Sequence, residues 1–285
     1  MKLFKAKYFK FLSDKAYLKL KYFVAFRKRL NLKKPVTFNE KLQWLKLYDR
    51  KDIYTKMVDK YEAKKYVSDI IGEEYIIPTY GVYNKFEEIN FDKLPKQFVI
   101  KCTHDCGGLV ICKDKKNLDI NAAKEKIEKC LKKNYYYDNR EWPYKNVKPR
   151  IIIEKYMENK DTGDLKDYKF FCFNGEPKFM FIAAERATHE TKFNFYDLNY
   201  NLLKVKQHYP NTDYVIEKPK NFSKMINLAK KLSKDIPHVR VDFYEINGKV
   251  YFGELTFSHF GGFVPFEPKE WDQKFGEYIK LPNKK

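Results

Sequence analysis

Asn174-Gly175 and Asn247-Gly248 each stand between two apolar runs, and Asn-Gly in that setting signals a tight β-hairpin. The apolar period is helical elsewhere. Thr37-Phe38-Asn39-Glu40 reads as a capping box opening a helix that carries Leu42, Trp44 and Leu45. Helical spacing recurs over 54–67, 121–133 and 221–234. Short strand patterns occupy 75–83, 98–103, 109–112, 150–157 and 192–196. The final hairpin pairs 239–245 with 249–255. Helices and antiparallel hairpins alternating in blocks predict an α+β fold. The expected division is a basic helical region over 1–74, a smaller lobe over 75–157 and a larger lobe over 158–285.

No apolar stretch is long enough for a transmembrane helix or resembles a cleavable leader, which reads as a cytoplasmic protein. Five cysteines, an odd and scattered set, read as reduced thiols rather than a disulfide framework. A net charge of +20 points to an anionic partner without choosing among nucleotide, lipid, nucleic acid and acidic glycan. Residues 1–34 interleave lysines with Phe11, Tyr17, Tyr22 and Phe23. Such a segment suits an anionic membrane surface, and equally a helix packed on the body with its lysines in water, the commoner outcome.

Two constellations carry chemistry. In FVIKCTHDCGGLVICKD, Lys101 ends a strand and Gly107-Gly108 lie in the tight connection to the next. Glycines let backbone amides approach phosphate oxygens, and a lysine supplies a point charge. Asp242 and Glu254 on the last hairpin are hard oxygen ligands suited to magnesium. Their register is open. A two-residue turn at Asn247-Gly248 pairs Asp242 with Gly253 and sends Glu254 to the other face, whereas a three-residue turn from Ile246 puts both on one face. The Cys102, His104, Cys106, Cys112 spacing fits no standard zinc pattern, and His104 is read with the phosphate loop.

Taken in order, these pieces resemble the ATP-grasp superfamily over about residues 55–265. Asp59-Lys60 is similar to its first phosphate-binding lysine and Lys101 to its second. Ile152-Ile153-Glu154-Lys155-Tyr156-Met157 resembles the hinge strand that holds adenine and ribose. Asp167-Tyr168-Lys169 resembles a charged element of several members. Asp242 and Glu254 match the acidic magnesium ligands, with Thr256 in place of the usual asparagine. The stretch Thr37 to Lys46, with Gly253-Glu254-Leu255-Thr256-Phe257-Ser258, resembles the TupA-like branch, associated with bacterial cell-surface polysaccharides.

The resemblance implies two lobes clamping ATP and Mg2+, and amide ligation through an acylphosphate. The substrates would be a small-molecule amine and a carboxylate-bearing glycan. Lys60, Lys101, Gly107 and Gly108 would hold phosphate, and Glu154, Lys155, Tyr156 and Met157 the nucleoside. Lys169 and Arg186 would orient the substrate carboxylate or the transferring phosphoryl group. Arg240 ranks behind them, on the reading that its side chain faces away from Asp242. His259 is read either as a substrate-loop residue or as an ordinary loop histidine. A sugar-nucleotide glycosyltransferase is the enzymatic rival, although no Asp-x-Asp element is present. A nucleic-acid binder is the other rival, but no recognition motif supports it, and no nucleic-acid partner is expected.

Overall fold

The computed structural model describes residues 6–104, 107–159, 165–185 and 190–283. Two antiparallel sheets organise them. The smaller has strand order β1-β4-β2-β3, from β1 (Thr79–Tyr83), β2 (Phe98–Cys102), β3 (Leu109–Cys112) and β4 (Ile151–Lys155). The larger has order β10-β9-β5-β6-β7-β8. Its strands are β5 (Asp167–Phe173), β6 (Glu176–Ala184), β7 (Lys192–Asp197), β8 (Leu202–Leu203), β9 (His238–Ile246) and β10 (Lys249–Thr256).

The strand period of two divides the smaller sheet into unlike faces. Phe98, Ile100, Cys102, Ile151 and Ile153 point to a core closed by Ala123 and Ile127 of helix α5 (Ile120–Leu131). Their alternates, including Lys101 and Glu154, are left on the opposite face. The larger sheet is covered on both sides. One face packs Phe170, Met180, Val241 and Phe243 against α3 (Asp52–Val58), α4 (Glu62–Ile71) and α7 (Phe222–Leu232). The other packs Phe171, Phe179, Phe181 and Phe195 against α1 (Asp14–Phe26), α2 (Phe38–Tyr48) and α8 (Glu270–Glu277). A strand buried on both faces reads as a near-continuous apolar run, as Phe170–Phe173 does.

The capping box forms as the sequence predicts: Glu40 N–H donates to Thr37 Oγ1 and Thr37 N–H to Glu40 Oε2, each at 3.2 Å. The helical pattern over 54–67 is two helices rather than one. Asp59 leaves the helical region (φ −69°, ψ 118°), and its carboxylate accepts from Tyr61 N–H and Glu62 N–H at 2.8 and 3.3 Å, restarting the chain as α4. Tyr75–Pro78 likewise precedes the strand: β1 begins at Thr79, after a 3₁₀ turn over Glu73–Tyr75.

A polar row on α2 crosses the otherwise apolar contact. Asn39 donates to Asp272 Oδ1 of α8 at 3.0 Å, and Gln43 to the carbonyls of Gly261 and Gly262 at 3.2 and 2.8 Å. The buried Lys46 ammonium donates to Gln43 Oε1, Asn139 O and Gly261 O at 2.9, 3.0 and 2.5 Å. Burial pushes that ammonium down to about 7 against the opposing pull of Glu141. These bonds fix the loop after β10, where Phe260, Gly261 and Gly262 follow one another at positive φ (48°, 62° and 67°).

Helix α8 meets α2 by direct backbone approach. A Cβ on Gly276 would stand 2.2 Å from Val36 O and 2.7 Å from Phe38 N. Those are backbone atoms at a helix start and cannot rotate away. Gly276→Ala is therefore expected to destabilise the fold by about 1–3 kcal/mol, measured as a lower urea midpoint with unchanged m-value.

Candidate active site

A cavity of about 260 Å³ lies between the two sheets. Four lysines and three carboxylates line it: Lys60, Lys64, Lys101 and Lys169 with Glu154, Asp167 and Glu254. The smaller sheet supplies Lys101, Gly108 and Glu154, and the turn between α3 and α4 supplies Lys60. The larger sheet supplies Asp167, Lys169 and Glu254. Apolar wall is contributed by Met57, Leu109, Phe252 and Leu255 among others.

On the smaller sheet, Val99 lies opposite Glu154 and Lys101 opposite Ile152, so Lys101 and Glu154 are diagonal neighbours on one face. Lys101 Nζ is 2.6 Å from Glu154 Oε2, and Lys64 Nζ is 2.5 Å from Oε1. Burial raises the Glu154 carboxyl, but the two lysines outweigh it and hold it at about 2. Lys64 was not singled out from the sequence; among so many lysines nothing marked its position. Lys60 is fixed through its backbone, whose N–H donates to Thr103 O at 3.0 Å, just beyond β2. Arg150 Nη2 bonds Asp59 and Glu62 at 2.8 and 2.9 Å and ties that turn to the start of β4.

Gly108 closes on β2, with its carbonyl accepting from Cys102 N–H at 2.8 Å. A Cβ there would lie 2.6 Å from Cys102 Sγ, so the close approach requires glycine. Gly107 is exposed next to it. His104, which precedes the loop, has its Nε2 3.2 and 3.0 Å from Cys130 O and Lys133 O, at the end of α5.

On the larger sheet the register took a third course. Ile246 pairs with Lys249, so Asn247-Gly248 is a two-residue turn, with φ of 50° and 74°. Glu254 nevertheless shares a face with Asp242. The register slips between Phe252 and Leu255, a β-bulge that inserts one residue and reverses the alternation. Phe252 and Leu255 then both point into the helix-covered core.

Arg240 was expected to face away from Asp242, and the structure corrects this. Residues i and i+2 of a strand share a face. Arg240 Nε and Nη2 each lie 2.7 Å from the Asp242 carboxylate, and Nη2 also lies 2.7 Å from Glu254 Oε1 and 3.0 Å from Thr256 Oγ1. Lys169, opposite Asp242 in the neighbouring strand, bonds both Asp242 and Asp167. Burial raises the Asp242 carboxyl against the pull of Arg240 and Lys169. For Glu254 burial also raises, but Arg240, Lys169 and Lys60 prevail and hold it at about 2.

His259 is a buried part of the same network. Arg240 can only donate, so His259 Nδ1 accepts from Nη1 at 2.7 Å and Nε2–H donates to Gln207 Oε1 at 2.8 Å. Burial first, then Arg240, keeps this imidazole neutral.

The candidates thus fall into groups. Lys60, Lys101, Gly108, Glu154, Lys169 and Glu254 meet at the cavity. Asp242 and Thr256 sit behind it, joined through Arg240. Lys155 is exposed, and Tyr156 and Met157 are half-buried beyond β4, outside the cavity lining. Arg186 lies outside the described residues.

The oxygen set suits magnesium. Glu254 reaches the cavity, Asp242 Oδ1 accepts from Arg240 Nε and carries a second lone pair, and Thr256 Oγ1 donates to Glu254 at 2.9 Å. Among the described residues, no three His, Cys, Asp or Glu side chains gather as a metal-ligand set.

The family model described as TupA-like ATPgrasp matches residues 40–280. No curated protein matches the chain. Among solved structures, similarity extends to a D-alanine–D-alanine ligase from Bacillus anthracis complexed with ATP, at 19% identity and TM-score 0.39, over 70% of this chain and 53% of that one. The D-alanine–D-alanine ligase of Helicobacter pylori is 15% identical with TM-score 0.48, over 85% and 69%. The biotin carboxylase domain of a Hydrogenobacter thermophilus 2-oxoglutarate carboxylase is 13% identical with TM-score 0.39, over 80% and 47%. The chain spans about half the length of the first of these. With a family match over most of its length, and two antiparallel sheets meeting at a charged cavity, the chain has the ATP-grasp fold and belongs to the TupA-like ATP-grasp family.

Proposed function

We propose that the protein is an ATP-dependent carboxylate–amine ligase working through an acylphosphate. It joins an amino acid or amino sugar to a carboxylate of a cell-surface polysaccharide or its precursor, in the cytoplasm. The lobes over 75–157 and 158–285 close on the nucleotide in this reading. One observation carries it: Lys60, Lys64 and Lys101 on the side of the smaller sheet, with Glu154 among them, face Asp167 and Glu254 of the larger sheet, with Lys169 among those, across one cavity. That polarity suits a polyphosphate, with fixed positive charge for its oxygens on one wall and oxygen ligands for its counter-ion on the other.

A carboxylate is a poor electrophile and must first be activated. Its oxygen attacks the γ-phosphorus of ATP, the bond to the β-phosphate oxygen breaks, and ADP leaves. The amine then attacks the acyl carbon. The new C–N bond forms as the C–O bond breaks, and phosphate departs with the amine's proton. Lys60 and Lys101 hold phosphate oxygens, with the backbone at Gly107-Gly108 covering them. Glu154 and the chain from Lys155 to Met157 hold the nucleoside. Lys169 orients the transferring group from the far wall, and Arg240 fixes the acids. Arg186 is proposed as a further cation for the substrate carboxylate. Asp242, Glu254 and Thr256 would hold Mg2+, which when bound neutralises charge on the phosphates.

Glu254→Gln is expected to lower ATP turnover by about two to three orders of magnitude while leaving the fold intact. Lys101→Ala should weaken magnesium-dependent ATP binding in titration calorimetry. Near wild-type turnover in the first variant would sink the metal assignment, and binding of a sugar nucleotide but not ATP would favour a glycosyltransferase.

The same carboxylates set an acid limit. Glu154 and Glu254 are held at about 2, below the ordinary 4.5, so their contribution to stability is complete above 4.5 and is lost as pH falls toward 2. Urea unfolding from neutral pH down to about 3 should show this decline, and Glu154→Gln should flatten it.

A further inference from the structure

Helix α1 is built into the body on one side and bare on the other. Tyr17, Leu18 and Tyr22 are buried in the core beneath the larger sheet. Tyr17 and Lys21 donate to Asp138 O at 2.7 and 2.6 Å, and Arg140 donates back to Phe9 O at 3.0 Å. At 3.6 residues per turn, Lys15, Ala16, Lys19, Leu20 and Phe23 share the opposite arc, and all five are exposed. Phe23 is 48% exposed at the middle of that arc, Leu20 38%, and Phe11 just before the helix 81%. Arg27, Lys28 and Arg29, also exposed, follow its end.

The charged residues described on the outer arc and in the run after it, Lys15, Lys19, Arg27, Lys28 and Arg29, are all basic. Twelve basic residues precede Asn39, and Asp14 is the one acid among them. Asp14 is already engaged, 2.7 Å from Arg50 and 3.4 Å from Arg140. A second copy of the chain would bring two such faces into repulsion. A polyanion in water would satisfy the lysines and leave Leu20 and the phenyl rings wet. The boundary between anionic headgroups and acyl chains accommodates both.

We propose that this outer face of α1, with Phe11, Leu20 and Phe23 flanked by Lys15, Lys19 and the Arg27–Arg29 run, docks the protein on an anionic lipid bilayer. The face needs no refolding to do so. Its inner side is held by the core, and Lys21 and Arg140 tie it to the segment whose Tyr144 reaches the cavity wall. The inference stands apart from the ligase reading, because nothing in the docking face touches the cavity.

The test uses the full chain and sedimentation with phosphatidylcholine vesicles, with or without phosphatidylglycerol. Deleting the helix would remove Tyr17, Leu18 and Tyr22 from the core, so outer-face substitutions are the proper variants. The protein should bind the mixed vesicles and not the neutral ones, with binding weakened by salt. Phe11→Ser with Phe23→Ser should lower partitioning about tenfold. Lys15→Glu with Lys19→Glu should lower it about fivefold or more per position. Both variants should retain the wild-type urea midpoint. No binding to mixed vesicles, equal binding to neutral ones, or binding indifferent to both double variants would overturn the proposal. Equally strong binding to duplex DNA, unchanged by the aromatic substitutions, would assign the patch to polyanions and overturn it too.

Discussion

The guanidinium of Arg240 is the junction on which the acidic half of the site depends. It is buried, it bonds Asp242 through Nε and Nη2, it reaches Glu254 and Thr256 through the same Nη2, and it reaches His259 through Nη1. Two carboxylates this close would repel and, in a buried setting, tend toward protonation. Arg240 and Lys169 supply the compensating charge, and the planar fork sets the angle between the acids as a lysine could not. Leaving a buried ion without its partner costs about 3–5 kcal/mol, so the network is also part of the fold's stability.

The two sheets divide the chemistry because they are covered differently. The larger sheet is apolar on both faces, and its charged cluster is confined to the end where β5, β9 and β10 approach the cavity. The smaller sheet is covered by α5 on one face only, which leaves Lys101 and Glu154 on the other, where α4 adds Lys64. A lysine-rich wall thus faces an acid-bearing one, with Glu154 set among the lysines of the first and Lys169 among the acids of the second.

Behind the acids, the polar row of α2 governs the loop that follows β10. Phe260 is a non-glycine residue at positive φ, costly unless its surroundings fix it, whereas Gly261 and Gly262 adopt positive φ without that penalty. Gln43 and Lys46 fix the loop from one helix face, binding the Gly261 and Gly262 carbonyls, and Lys46 joins the same loop to Asn139. His259 on this loop then meets Arg240, so α2 is connected to the site through the loop it holds.

Local chemistry was legible in the sequence. The Asn-Gly turns, the Thr37–Glu40 capping box, the alternation around Lys101 and the helical spacing over 221–234 each depend on residues close in the chain, and each formed. The face shared by Arg240 and Asp242 was legible too, since the strand period sets it. Other features depend on partners distant in sequence. Asp59 breaks a helical pattern where Arg150 can meet it, and Lys64 matters through Glu154. The turn alone would have placed Glu254 on the wrong face. Burying Phe252 and Leu255 in the same core requires one extra residue between their paired positions, and the resulting bulge turns Glu254 toward Arg240. The sequence by itself determined the Asn-Gly turns, the cap and the local periods, and which charged residues they carry, because these depend on residues close in the chain. Only the tertiary structure decided that the acids meet, because that depends on which apolar neighbours the core can bury.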